Sequence, residues 1–194
     1  MKTPDFKKPL PDSPELQDFM VMYAVYQFNR YDRCLITTPF DRLKISARIA
    51  YYLQVFLWIH HINDYFVDLD YYRLYKGVDI TAKKTRRRPF MPLDILVHKR
   101  VNEGAGEKPL NVMCIEIKNI GIEKGSKAEE HRLEKLTDPK WDYHFRTGYI
   151  LCGEFKGEAR RTLHIKRVFR GGELVPLIES PFQSIKQCRP SGPR

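Results

Sequence analysis

The residues best suited to chemistry lie in two short apolar runs. In Cys114-Ile115-Glu116-Ile117-Lys118 the polar side chains alternate with isoleucines. Side chains two apart in a strand share a face, so Glu116 and Lys118 would point one way and Ile115 and Ile117 the other. The run Leu93-Asp94-Ile95-Leu96-Val97 opens with an acid. If the two runs pair as a hairpin, Asp94 comes close to Glu116, and two carboxylates and a lysine converge at the end of a sheet. Phosphodiester hydrolysis asks for such a set: a metal to polarise the phosphoryl oxygen, a water activated near neutral pH, and a cation to balance the charge that develops. Carboxylates suit Mg²⁺, a hard ion that prefers oxygen and keeps several waters. Lysine adds a compact positive charge. An acid-x-Lys triplet alone is weak, because Asp5–Lys7, Asp138–Lys140 and Glu154–Lys156 repeat it. Only Glu116–Lys118 sits in an apolar strand pattern that follows a second apolar strand begun by an acid. The competing reading is a half-solvated strand on which Glu116 and Lys118 form a surface ion pair.

The elements that must position these residues follow from periodicity and punctuation. Residues 1–12, with Pro4, Pro9 and Pro11, read as an extended arm. Ser13-Pro14-Glu15 opens a helix to about residue 30, with serine as cap and proline in the first turn. Leu43, Ala47, Ala50, Leu53, Phe56 and Leu57 fall at helical spacing and predict a second helix over 41–59. Strands are expected over 65–75, with a bend, and over 93–100, 111–118, 148–155 and 162–170. A hairpin loop containing Gly104 and Gly106, a polar helix over 127–136 and a Gly171-Gly172 turn separate them. This order predicts an α/β fold around a mixed sheet flanked by helices. Three parts follow: an N-terminal arm and helix packing on the core (1–40), a main domain (41–180) and a basic tail (181–194).

The stretch from Arg88 to Arg100, a variable loop, and then Asn111 to Lys118 resembles uncharacterised members of the PD-(D/E)XK nuclease-like superfamily. Those read roughly R-x-x-P-D-h-h-h-H-x-R, a gap, then N-h-h-h-h-E-h-K, where h is hydrophobic. Ile45–Leu53 resembles their first core helix, Val67–Arg73 the strand after it, and Glu134–Thr137 followed by Tyr149–Leu151 a later helix and strand. The likeness covers roughly residues 41 to 155. It implies a restriction-endonuclease-like core with an N-terminal helical extension, and a nuclease dependent on Mg²⁺ or Mn²⁺, with DNA the favoured substrate. Asp94 and Glu116 would bind the metal, the backbone carbonyl of Ile117 would be a third ligand, and Lys118 would orient the attacking water and stabilise charge. Lys135 would be the helix lysine, for phosphate contact or structure. The chain departs from the pattern in two places. Its proline stands two residues before Asp94, and the first core helix offers Gln54 where a further acid often stands. Gln54 can coordinate without charge, or Asp70 could substitute from the strand. The alternative is a catalytically degenerate module of this fold that binds nucleic acid or a protein without cleavage.

Composition agrees with a polyanionic partner. The 194 residues carry a formal net charge of +10, which favours nucleic acid or an anionic surface. No membrane span is expected, because the most apolar stretch, 49–62, is short and broken by Gln54, His60 and His61. No secretory signal opens the chain. The four cysteines show no CxxC spacing, so neither a zinc site nor a disulfide framework is expected, and a reducing, cytoplasmic setting follows. Lys83, Lys84, Arg86, Arg87 and Arg88 form a candidate phosphate clamp beside the Asp94 strand, or a solvated loop. Arg160, Arg161, Lys166, Arg167 and Arg170 make a second basic stripe or a solvated strand face. His98 could share the face of Asp94 and touch substrate, or serve as a structural hydrogen-bonding group. His60 and His61 are expected to cap a helix, His131 and Glu134 to lie on a solvated face, and the dense aromatics from Tyr51 to Tyr75 to be mostly core. The sequence leaves a homo-oligomer open, and a third class, a scaffold whose charge only solubilises it, is also kept.

Overall fold

The fold is described from a computed structural model. It describes residues 9–37, 39–71, 93–99, 110–119, 126–141, 143–155 and 161–177; of Asp70, Tyr71 and Ser126 only the backbone is described. Three α-helices, α1 (Pro14–Tyr31), α2 (Arg42–Ile59) and α3 (Ser126–Thr137), accompany six strands. These are β1 (Tyr65–Tyr71), β2 (Leu93–Lys99), β3 (Leu110–Asn119), β4 (Thr147–Phe155), β5 (Arg161–Arg170) and β6 (Glu173–Val175). They form one sheet in the order β1-β2-β3-β4-β5-β6. Every neighbouring pair is antiparallel except β3 and β4, which run parallel. The expected α/β class and mixed sheet are therefore present. The chain between β3 and β4 contains α3, as a parallel connection requires.

Local chemistry explains the helix starts. Ser13 Oγ accepts from the N–H of Leu16 at 3.3 Å, ahead of Pro14. Asp41 Oδ1 accepts from the N–H of Lys44 at 3.1 Å and so starts α2 one residue later than the periodicity suggests. The two helices cover one face of the sheet. Leu16, Met20, Phe28, Ile45, Ile49, Leu53 and Phe56 pack in one cluster with Ile95, Met113, Ile115 and Ile117. A smaller cluster on the opposite face joins Leu133 and Leu136 of α3 to Leu96, Cys114, Ile150 and Phe169. From Met113 to Lys118 the odd positions of β3 thus face α1 and α2 and the even positions face α3, whereas Val112, at the register shift, packs on the α1 and α2 side. That alternation assigns Glu116 and Lys118 to the α3 side.

Several expectations are corrected. The arm over 1–12 is folded at its end, where Leu10–Asp12 makes a 3-10 turn with Leu10 and Pro11 buried. Gln17 Nε2 fixes the turn by donating to the carbonyl of Leu10 at 2.8 Å. Tyr51, Trp58 and Phe66 are exposed rather than core, because α2 buries the stripe through Tyr52, Leu53 and Phe56 and turns Tyr51 and Trp58 away. Strand β6 was not anticipated. Gly171 (φ 60°) and Gly172 (φ 82°) supply the left-handed two-residue turn that folds it onto β5. The second basic stripe is largely tied down. Arg170 pairs with the buried Asp18, Arg161 donates to the carbonyl of Cys34, and Arg167 Nε lies 3.5 Å from Glu130. Arg160 lies outside the described residues, as does the tail from 181.

Other readings hold. Cys114 and Cys152 are buried free thiols. His60 closes α2, its N–H bonded to the carbonyl of Phe56. His131 and Glu134 form an exposed pair. Among the described residues no helix is long and apolar enough to cross a membrane.

Candidate metal-binding and catalytic site

Strands β2 and β3 pair as the hairpin predicted, with Ile95 opposite Ile115 and Val97 opposite Met113. Asp94 lies just beyond the last of these pairs. There its Oδ2 accepts the backbone N–H of Ile117 at 2.7 Å, taking the place of a ladder bond. Its Oδ1 meets Arg42 Nε at 3.1 Å, the first residue of α2. On β3, Glu116 is 0% exposed. Its Oε1 accepts from Arg132 Nη2 at 2.5 Å, and its Oε2 has no hydrogen-bond partner among the described residues. Lys118 Nζ donates to Glu129 Oε1 at 2.6 Å, and the other oxygen of Glu129 is also buried and unpartnered among the described residues. Glu129 and Arg132 stand three apart on α3, so both reach β3 while Leu133 and Leu136 bury. Each of the three predicted groups is therefore met by an opposite charge from a helix.

This geometry overturns the surface ion-pair reading. Glu116 and Lys118 do not pair with each other; each has its own partner on α3, and Glu116 is fully buried. The electrostatics follow. Burial pushes the Asp94 carboxyl above its usual range, against the pull of the Ile117 N–H and of Arg42, Lys118 and Arg132. Burial raises Glu116 further, to about 7, with the Arg132 guanidinium opposing and the Asp94 charge adding to the rise. Glu129 moves the other way: burial would lift it, but the hydrogen bond and charge of Lys118 together hold it below the usual range.

The remaining predicted residues divide. Ile117 enters the site through its N–H, donated to Asp94. Gln54 does not stand free for a ligand, since its Oε1 accepts from the N–H of Val67 at 3.2 Å and anchors α2 to β1. Leu69 pairs with Ile95 and Tyr71 with Leu93, so the register puts Asp70 directly across from Asp94. His98 does not join Asp94. It stays on the Asp94 face of β2, whose register with β1 is regular, but stands four residues further along, where its ring meets Asp68 of β1 at 2.7 Å. Lys135 also points elsewhere, its ammonium 5.1 Å from the centre of the Trp141 ring, because burial of Leu133 and Leu136 fixes how α3 is turned. Lys83, Lys84, Arg86, Arg87 and Arg88 lie outside the described residues. Sequence reasoning missed Arg42, Glu129 and Arg132. Their signals were faint: an arginine directly after the Asp41 cap, and a Glu-x-x-Arg spacing ahead of the apolar pair of α3.

Among the described residues no three His, Cys, Asp or Glu side chains form a ready-made cation cage. Mg²⁺ rarely needs one, since it takes one or two carboxylates and fills its other positions with water and substrate oxygens. The donors here suit such an ion. Two buried carboxylates on adjacent strands have their charged forms disfavoured, and one buried oxygen of Glu116 lacks a partner among the described residues. A hard cation would satisfy both needs. Compared with known proteins, the chain matches no family model, no curated protein and no solved structure.

Proposed function

We propose that this chain is a divalent-metal-dependent nuclease of the PD-(D/E)XK type, built on a restriction-endonuclease-like core, that hydrolyses phosphodiester bonds, with DNA the favoured substrate. The observation that carries the reading is the buried Glu116, with Oε2 unpartnered among the described residues, next to Asp94 and two residues from Lys118 on the same strand face. An antiparallel β1–β2–β3 meander followed by a helix and a parallel strand puts the two acids on neighbouring strands, which supports this reading.

Asp94 and Glu116 would hold Mg²⁺ or Mn²⁺, with Asp70 across the ladder as the nearest further acid by register. The ion supplies Lewis acidity at the phosphoryl oxygen and a water that ionises near neutral pH. Lys118, on the Glu116 face, would orient that water and balance charge on the phosphorane-like transition state. Asp94 keeps Ile117 and the end of β2 in place through the 2.7 Å bond. The surplus of ten positive charges draws in the polyanion.

The counter-charges favour a second reading, in which the module binds nucleic acid or a protein without cutting. Arg42 and Arg132 already neutralise the two acids, and Gln54 is committed to β1. Incubation of supercoiled plasmid and single-stranded DNA with Mg²⁺ or Mn²⁺ separates the two. Nuclease function predicts metal-dependent cutting that falls on the order of 10²-fold or more in Glu116→Ala and Lys118→Ala. Cutting that survives both substitutions, or no cutting by the native chain, rejects it.

A further inference from the structure

Among the described residues six charges at the site are in balance, with Arg42, Lys118 and Arg132 set against Asp94, Glu116 and Glu129. A divalent cation adds two positive charges to this buried setting, so its entry favours the departure of a resident cation. The three candidates differ in how easily they leave. Arg132, which reaches in from α3, is 16% exposed in its side chain, and Lys118, held by Glu129 of that helix, is 26% exposed. Arg42 is 40% exposed, yet its partner Asp94 is only 7% exposed. Arg42 thus reaches from the surface onto a buried carboxylate. Its approach to Asp94 is by Nε, and its two terminal nitrogens donate no hydrogen bond among the described residues. A guanidinium is a planar fork that matches two oxygens of a phosphate. Arg42 therefore has its phosphate-binding end open while its inner nitrogen occupies the acid.

We propose that Arg42 is an exchangeable occupant of Asp94: a divalent cation takes its place on the carboxylate, and the released guanidinium binds the phosphodiester. No covalent step is involved. The inference rests on the nuclease reading for the identity of the anion. It assigns Arg42 to substrate binding, and it gives the site an order in which metal entry prepares the contact to the nucleic acid.

The expected signature is a pair of shifts with opposite sign. In Arg42→Ala, Mn²⁺ alone, followed by the paramagnetic resonance of the free ion, binds about tenfold more tightly, because its competitor on Asp94 is gone. A labelled DNA duplex, measured with Mg²⁺ in a Lys118→Ala background to prevent turnover, binds more weakly in the same variant. The slope of log affinity against log salt becomes shallower by about 0.9, the loss of one phosphate contact. Arg42→Lys restores part of the DNA affinity. Lys127→Ala, which removes an exposed charge on α3, serves as the charge-matched control and leaves Mn²⁺ binding unchanged. A purely structural Arg42 would weaken both ligands together. Weakening of both, an unchanged Mn²⁺ affinity, an unchanged salt slope, or no Mn²⁺ binding by the native chain overturns the proposal. Its failure is distinct from failure of the nuclease reading. A native chain that cuts DNA without the opposed shifts refutes only the exchange at Arg42. Opposed shifts in a chain that never cuts uphold the exchange on a binding module.

Discussion

Replacing Glu116 by glutamine keeps shape and an acceptor for Arg132 but removes a charge that the interior resists. Burial lifts the Glu116 carboxyl from 4.5 to about 7 in the folded chain. At about 1.4 kcal/mol per pH unit, this displacement amounts to about 3 kcal/mol. The sign is fixed by which state binds the proton more tightly. Between about pH 4.5 and 7 the folded chain holds a proton on Glu116 that the unfolded chain has released. The resulting stability is fully present below 4.5 and is lost as pH rises through about 7. Glutamine has no such loss. Urea unfolding of the native chain and of Glu116→Gln, in chelator, measures the difference directly. Asp94 interacts with Glu116, so its titration changes with the substitution too, and the difference reports the two acids together. The variant gains on the native chain by about 3 kcal/mol between about pH 4.5 and 8, with little further change above. A difference that is flat with pH, or that falls as pH rises, would show that Glu116 is not buried as an acid under strain, and the electrostatic reasoning for the site would fail with it.

Three further outcomes follow from particular contacts. Saturating Mn²⁺ at about a hundred times its dissociation constant should raise the unfolding free energy by about 2.7 kcal/mol, an increment that Glu116→Ala abolishes; a calorimetric scan with and without the ion reads it. Tyr149→Phe deletes a buried hydroxyl that donates to Asp18 at 2.7 Å. It should cost about 1–3 kcal/mol in urea unfolding, since the acceptor is a carboxylate already paired with Arg170; a neutral result would mean that Arg170 alone satisfies Asp18. Gly153→Ala puts a Cβ 2.4 Å from the Phe40 ring. The crowding should lower stability by about 1–3 kcal/mol, visible as a reduced thermal midpoint, unless Phe40 swings clear.

Where the fold was legible in the sequence, a short-range period carried the information. The cap Ser13 acts within three residues, and the alternation of Ile115, Glu116, Ile117 and Lys118 fixes a face without reference to the rest of the chain. The pairing of Asp94 beside Glu116 needed only the hairpin. The unread features depend on rotation or register set far away. Lys135 was carried over by position, but the burial of Leu133 and Leu136 turns Glu129 and Arg132 toward β3 and leaves Lys135 against Trp141. His98 shares the Asp94 face of β2 but stands four residues along it, where the carboxylate of Asp68 on β1 takes up its ring. Strand β6, three residues long, had too little pattern to register at all.

The counter-charges bear on why these acids are buried at all. A fold gains little from an ion pair in its interior, because desolvation offsets most of the attraction, and apolar side chains of similar volume do as well or better. Val112 and Cys114 show that β3 can line its interior with apolar groups. Position 116 instead carries a carboxylate that is 0% exposed, with one oxygen satisfied by Arg132 and the other by no partner among the described residues. Arg132 alone does not bring its proton affinity back to that of an ordinary glutamate. Packing does not account for such a residue. A ligand that brings positive charge to Oε2 would supply what the protein's own contacts leave missing, and Asp94, one strand away with its outer oxygen held by the half-exposed Arg42, is placed to share that ligand.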